Sequence, residues 1–89
     1  MNHIVKRKGH TEQFDERKLY ASIYASCMAL RITDEEAETI AQMVTDEVLE
    51  EIKSKEEISS SDLQNAATKS LKKYHPDASY LYKTHKDLS

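Results

Sequence analysis

The sequence predicts a small, mostly α domain of the α+β class, a four-helix bundle capped by a small N-terminal β-hairpin or three-stranded sheet. Three observations predict it. The 89 residues include one glycine, one proline and no tryptophan, which argues against a turn-rich β-barrel and for long uninterrupted helices. Apolar residues recur at helical spacing through most of the chain beyond Asp15. Only the segment before Asp15 alternates as a strand pair does. The length fits one domain, residues 1–89, and excludes a two-domain enzyme. A chain this short buries only about 60–65% of its unfolded surface, so a large internal reaction chamber is not expected.

Ile4 and Lys6 alternate with Val5 and Arg7, Lys8-Gly9-His10 interrupts the run, and Thr11 to Phe14 resume it. This spacing predicts a hairpin, with Gly9 supplying the positive φ of a tight turn. Asp15 stands where a helix N-cap belongs, and Leu19, Ile23, Cys27 and Leu30 predict a first helix from about Glu16 to Leu30. Thr33-Asp34-Glu35-Glu36 is a capping box that opens the longest helix. Its apolar stripe is Ala37, Ile40, Ala41, Val44, Val48 and Ile52, with carboxylates on the opposite face. Periodicity lapses after Lys53-Ser54-Lys55. Ile58 is placed to add a third strand, since an isolated hairpin is marginal in water. Ser59, Ser60, Ser61 and Asp62 offer caps for a third helix on Leu63, Ala66, Ala67, Leu71 and Tyr74. Pro76 starts a fourth, with Ala78, Leu81, Tyr82 and His85 as its inner face.

The net charge of −3 hides a segregation. Residues 1–20 carry +2, residues 34–57 carry −8 and residues 58–89 carry +2. The two basic ends would form a cationic site if the fold brings them together, while the acidic middle repels a long nucleic acid. A single cysteine, Cys27, gives no internal disulfide and no thiolate-rich zinc site. No run of about 18 apolar residues exists for a membrane span and no signal peptide begins the chain, so the cytoplasm is the expected compartment.

Enzyme signals are poor. His3, His10, His75 and His85 have no metal-ligand spacing and read as surface histidines. Cys27 lies on the apolar stripe of the first helix, where a buried inert thiol is expected. No glycine-rich phosphate loop is present, which excludes P-loop and Rossmann chemistry. The hairpin says more. Lys6, Arg7 and Lys8 either protect an exposed strand edge from aggregation or gather an anion, with Glu12, Asp15 and Lys18 nearby at the entry to the first helix. Cations and carboxylates in one short segment suit a ligand with a negative tail and a hydrogen-bonding base. Asp15, Lys18 and Leu19 stand at i, i+3 and i+4 and share a helical face. The Ser59–Ser61 cluster caps a helix, and a helix N-terminus also favours phosphate.

Several segments together resemble the ATP-cone domain, found at the N-terminus of ribonucleotide reductase large subunits and in the zinc-ribbon repressor of their genes. They are Ile4-Val5-Lys6-Arg7-Lys8-Gly9, Glu12-Gln13-Phe14-Asp15-Glu16-Arg17-Lys18-Leu19, Ile23-Tyr24, Ile58-Ser59-Ser60-Ser61-Asp62-Leu63 and Tyr74-His75-Pro76-Asp77-Ala78-Ser79-Tyr80-Leu81-Tyr82. The resemblance implies a four-helix bundle under a three-stranded sheet, binding ATP or dATP beneath the hairpin as an allosteric signal that is not hydrolysed; magnesium is the expected companion of the triphosphate. It implies Lys6 and Arg7 on the phosphates, Glu12 and Asp15 on the base, Lys18 and Leu19 lining the pocket, Ser60 contacting phosphate and Gln64 one helical turn later. Lys8 stands where the family has aspartate, and Gln64 where some members have histidine. These 89 residues hold neither a reductase barrel nor a zinc ribbon. The expected outlet of the signal is therefore a partner, such as a reductase-like or regulatory protein, or the domain's own homo-oligomeric assembly. The alternative reading is a helical protein-interaction module that keeps the fold without the ligand. A DNA-binding accessory is disfavoured by the acidic middle.

Overall fold

The computed structural model describes residues 3–88, with side chains as far as His85; residues 1, 2 and 89 of the predicted domain lie outside the described residues. The elements run β1 (Ile4–Arg7), β2 (His10–Gln13), α1 (Glu16–Ala29), α2 (Asp34–Ile52), β3 (Glu57–Ser59), α3 (Ser60–Tyr74) and α4 (Pro76–Leu88). The predicted mostly α architecture is the observed one, in its three-stranded form. The strand order is β2-β1-β3. β1 pairs antiparallel with β2 and parallel with β3, Val5 standing opposite both Glu12 and Ile58. A parallel pairing needs a long crossover. Here α1 and α2 provide it.

The hairpin turn is tighter than expected, because Arg7 pairs directly with His10 and only Lys8 and Gly9 lie between them. Gly9 has φ 86° while Lys8 is not left-handed. One positive φ, at the second turn position, is a type II signature; the doubly positive type I′ turn would have demanded Asn or Gly at Lys8. Alternation holds along β1, with Val5 2% exposed and Ile4 42% exposed.

Asp15 caps α1, its carboxylate accepting from the Arg17 N–H at 2.9 Å. The helix ends one residue earlier than expected, and Leu30 is an exposed C-cap rather than part of the stripe. Thr33 caps α2, its Oγ1 accepting from the Glu36 N–H at 3.3 Å. All six residues of the predicted α2 stripe are buried, as is Cys27, whose thiol pKa burial pushes up. α1 and α3 each pack on α2 and α4, which closes the bundle into a ring, and the sheet rests on α3.

Four expectations need correction. Tyr74 faces outward and donates its hydroxyl to the Glu47 carboxylate, since the stripe of α3 closes at Leu71. On α4, Leu81 is half-buried and His85 exposed, while Ser79 is buried and donates to the Thr68 carbonyl at 2.8 Å. β2 starts at His10, not Thr11. His3 is not a surface histidine: it is 6% exposed, edge-on to Phe14, and its Nδ1–H donates to the Lys55 carbonyl. That bond staples the chain before β1 to the chain before β3.

Candidate functional site

One cleft of about 330 Å³ lies under the hairpin. Its walls come from both halves of the sequence: Arg7 and Glu12 from the hairpin, Asp15, Lys18, Leu19 and Ser22 from the start of α1, Ser60, Leu63 and Gln64 from the start of α3, and Tyr82 from α4. Seven of the eight residues singled out in the sequence meet there: Arg7, Glu12, Asp15, Lys18, Leu19, Ser60 and Gln64. Lys6 is not brought to it. Strand alternation sends Lys6 to the opposite face of the sheet from Val5, where its Nζ sits 3.2 Å from Glu57 of β3. The same alternation was legible in the sequence and separates Lys6 from Arg7.

The charges of the cleft are arranged in pairs. The Arg7 Nε–H donates to Glu12 Oε1 at 2.6 Å across the hairpin, and this bond is the first cause that holds the Glu12 carboxyl below the usual carboxylate range. Asp15 is lowered chiefly by the Arg17 N–H that it caps, and Lys18 adds its field to both carboxylates. Lys18 and both acids line the same cleft. Arg7 and Lys18 are the cations that line the cleft, and Glu12 and Asp15 balance them. The C-terminal basic segment contributes none of its described lysines to the lining. What α3 and α4 bring is polar and apolar: Ser60, Leu63, Gln64 and Tyr82.

Two helices begin at this cleft, so two sets of unpaired backbone N–H groups and the positive ends of two helix dipoles lie near it. At α1 the Asp15 carboxylate already occupies that end. At α3 the cap is Ser59, whose Oγ accepts from the Asp62 N–H at 3.0 Å. Ser59 is therefore the capping serine, and Ser60, the first residue of the helix, lines the cleft instead. Buried Val5, Leu19 and Tyr82 form the base, with half-buried Phe14 and Leu63 beside them. A concave apolar base with a few convergent polar and charged groups is the usual make-up of a small-molecule site.

Phe14, Ser22, Leu63 and Tyr82 line the cleft without having been singled out for it. Ser22 lies one turn beyond Lys18 on the same face of α1, a spacing that would have found it. Leu63 precedes Gln64 on α3. Nothing local signals Tyr82, whose place follows only from the packing of α4 on α1.

A family model described as the ATP cone domain matches residues 2–84. The chain belongs to the ATP-cone family. ATP cones are nucleotide-binding regulatory domains and not catalytic ones, and the family binds ATP or dATP. No curated protein and no solved structure matches the chain. In this ATP cone no helix among the described residues is long and apolar enough to cross a membrane, and no three His, Cys, Asp or Glu side chains among them are grouped to hold a metal ion.

Proposed function

We propose that the chain is an adenine-nucleotide sensor: ATP or dATP enters the cleft under the hairpin, is held without hydrolysis, and its occupancy is passed to a partner protein, reductase-like or regulatory, or to the domain's own assembly in the cytoplasm. The observation that carries this reading is the convergence of Arg7, Lys18 and the start of α3 on one apolar-based cleft. Arg7 and Lys18 supply charge-assisted hydrogen bonds to the phosphate tail, and Ser60 with the first-turn N–H groups of α3 supplies neutral ones. Gln64 extends that wall by one turn. Glu12 and Asp15, held ionised by their neighbours, accept from the adenine amino group, and Leu19 packs on the base. Because the acids of the cleft balance its cations, magnesium carried by the triphosphate would lower the charge that Arg7 and Lys18 must meet.

Thermal melting with added nucleotide tests the reading. A ligand bound only by the folded state stabilises it by about 2.7 kcal/mol at a hundredfold excess over its dissociation constant. The Arg7→Ala, Lys18→Ala double variant is expected to melt as before without nucleotide and to lose the shift; Lys6→Ala, on the other face of the sheet, is expected to keep it. Absence of any shift at millimolar ATP and dATP overturns the sensor reading in favour of the interaction module. Release of phosphate during long incubation contradicts the non-catalytic role.

A further inference from the structure

The root of the hairpin is held by a side chain that the nucleotide reading does not use. Ile4 and Gln13 form the last paired step of β1 and β2, and the His3 carbonyl carries the ladder one step further by accepting from the Phe14 N–H at 2.8 Å. Toward β3, the Ile4 N–H donates to the Glu56 carbonyl at 2.9 Å, and the His3 Nδ1–H donates to the Lys55 carbonyl. The imidazole stands edge-on to the Phe14 ring with 6.4 Å between centroids, and little of His3 reaches solvent. A buried imidazole is costly unless its N–H finds an acceptor, whereas a leucine would fill such a space without that demand. What the ring adds over an apolar residue is a directional tie between the root of the hairpin and the chain that leads into β3.

That tie bears on the cleft through Phe14. β2 ends at Gln13 and α1 starts at Glu16, so Phe14 and Asp15 alone join them. Both line the cleft. Asp15 is fixed from the helix side by its cap bond to the Arg17 N–H, and from the strand side by the seat of Phe14 on His3. The phosphate-facing groups have other supports: Arg7 stands at the far end of β1, Lys18 is carried by α1 and Ser60 by α3. We propose that His3 is a positioning residue of the nucleotide site: by clamping Phe14 against the chain before β3, it sets Asp15 where its carboxylate accepts from the adenine amino group. This rests on the nucleotide reading above. A carboxylate displaced by about 1 Å loses most of a directional hydrogen bond, while the attraction of cations for a triphosphate falls off slowly with distance. His3 thus governs which base is held rather than how strongly the phosphates are.

Calorimetric titration of the full chain with two magnesium triphosphates tests this: ATP, and purine riboside triphosphate, which has the same ring and tail without the amino group. His3→Phe keeps an aromatic ring and removes the donor. In it the dissociation constant for ATP is expected to rise roughly tenfold, the size of one hydrogen bond to a charged group, while that for the analogue stays within about twofold. His3→Asn carries an amide N–H close to the position of Nδ1 and is expected to recover most of the ATP affinity. Titration at about 10–20 °C, where small domains are near their greatest stability, favours a folded variant. If His3→Phe is unfolded even there, His3→Gln, whose amide falls at the position of the far ring nitrogen, carries the same comparison. An equal loss for both ligands shows that His3 shapes the domain as a whole and overturns the proposal, as does a His3→Asn variant that binds ATP no better than the variant lacking the donor. If the native chain itself does not bind ATP, the nucleotide reading fails and this inference falls with it; native binding that His3→Phe leaves unchanged sinks this inference alone.

Discussion

Arg31 occupies a position built for glycine. It has φ 61°, and its N–H donates to the Met28 carbonyl at 3.0 Å while the Ile32 N–H donates to Cys27 at 3.3 Å. These are the paired bonds of a Schellman ending to α1, with Ile32 folding back on the core as the motif's apolar partner. A left-handed residue with a Cβ costs about 1–2 kcal/mol, and glycine gives back about 0.5–1 kcal/mol through its more flexible unfolded chain. Arg31→Gly is therefore expected to stabilise the domain by about 0.5–1 kcal/mol, read as a rise of roughly 2–8 °C in the melting midpoint. At this scale the sequence was informative where one residue type has one job. Asp15 as a cap and Cys27 as a buried thiol could be read directly. It was ambiguous where neighbours share chemistry: which serine caps and which faces the cleft is decided by the turn of backbone between β3 and α3. His3 was misread because its partner is the Lys55 carbonyl, a backbone group far along the chain.

Among the elements, α2 and α3 are joined by a polar knot on their outer side. Glu47 accepts from Lys73, Tyr74 and Ser70, with Ser70 Oγ at 3.0 Å, and the Lys73 bond is the largest cause that lowers its carboxyl below the ordinary value of 4.5. The same bond raises Lys73 above 10.5. A carboxylate lowered by folding stabilises the fold above its unfolded pKa and loses that contribution as pH falls through the folded value; the raised lysine contributes below its unfolded pKa and loses it as pH rises through the folded one. Glu47→Gln is expected to lower the urea midpoint at about pH 7 and to flatten its decline toward about pH 4, with little difference left between native and variant once Glu47 is protonated. Element boundaries were legible because caps and stripes agree: Thr33 and the α2 stripe specify that helix from both ends. The outward Tyr74 was not legible, since a tyrosine at helical spacing reads as core until the carboxylate that receives its hydroxyl is located.

For the whole molecule, one shared core decides both stability and the cleft. Leu71 is fully buried on α3, and Leu71→Ala is expected to cost about 2–5 kcal/mol. A domain of this length holds only about 4–13 kcal/mol in total. The variant is thus expected to be substantially unfolded under mild heating, and magnesium ATP is expected to refold it, with a stabilisation free energy that rises with the logarithm of its concentration above the dissociation constant, which circular dichroism would follow. The class and element order were readable from composition, periodicity and caps, except for β3, which was placed because an isolated hairpin is marginal in water. The assembly of the cleft was only half readable, because its N-terminal wall is contiguous in sequence whereas Tyr82 reaches it through the closure of α4 on α1. That closure and the pairing of Val5 with Ile58 carry a further consequence. As the polypeptide leaves the ribosome, its opening strand has no parallel neighbour until β3 is made, and the hollow lacks its base until the last helix emerges. A nascent fragment of this protein has no cleft under its hairpin; on the sensor reading proposed above, cellular adenylate levels act only on finished molecules.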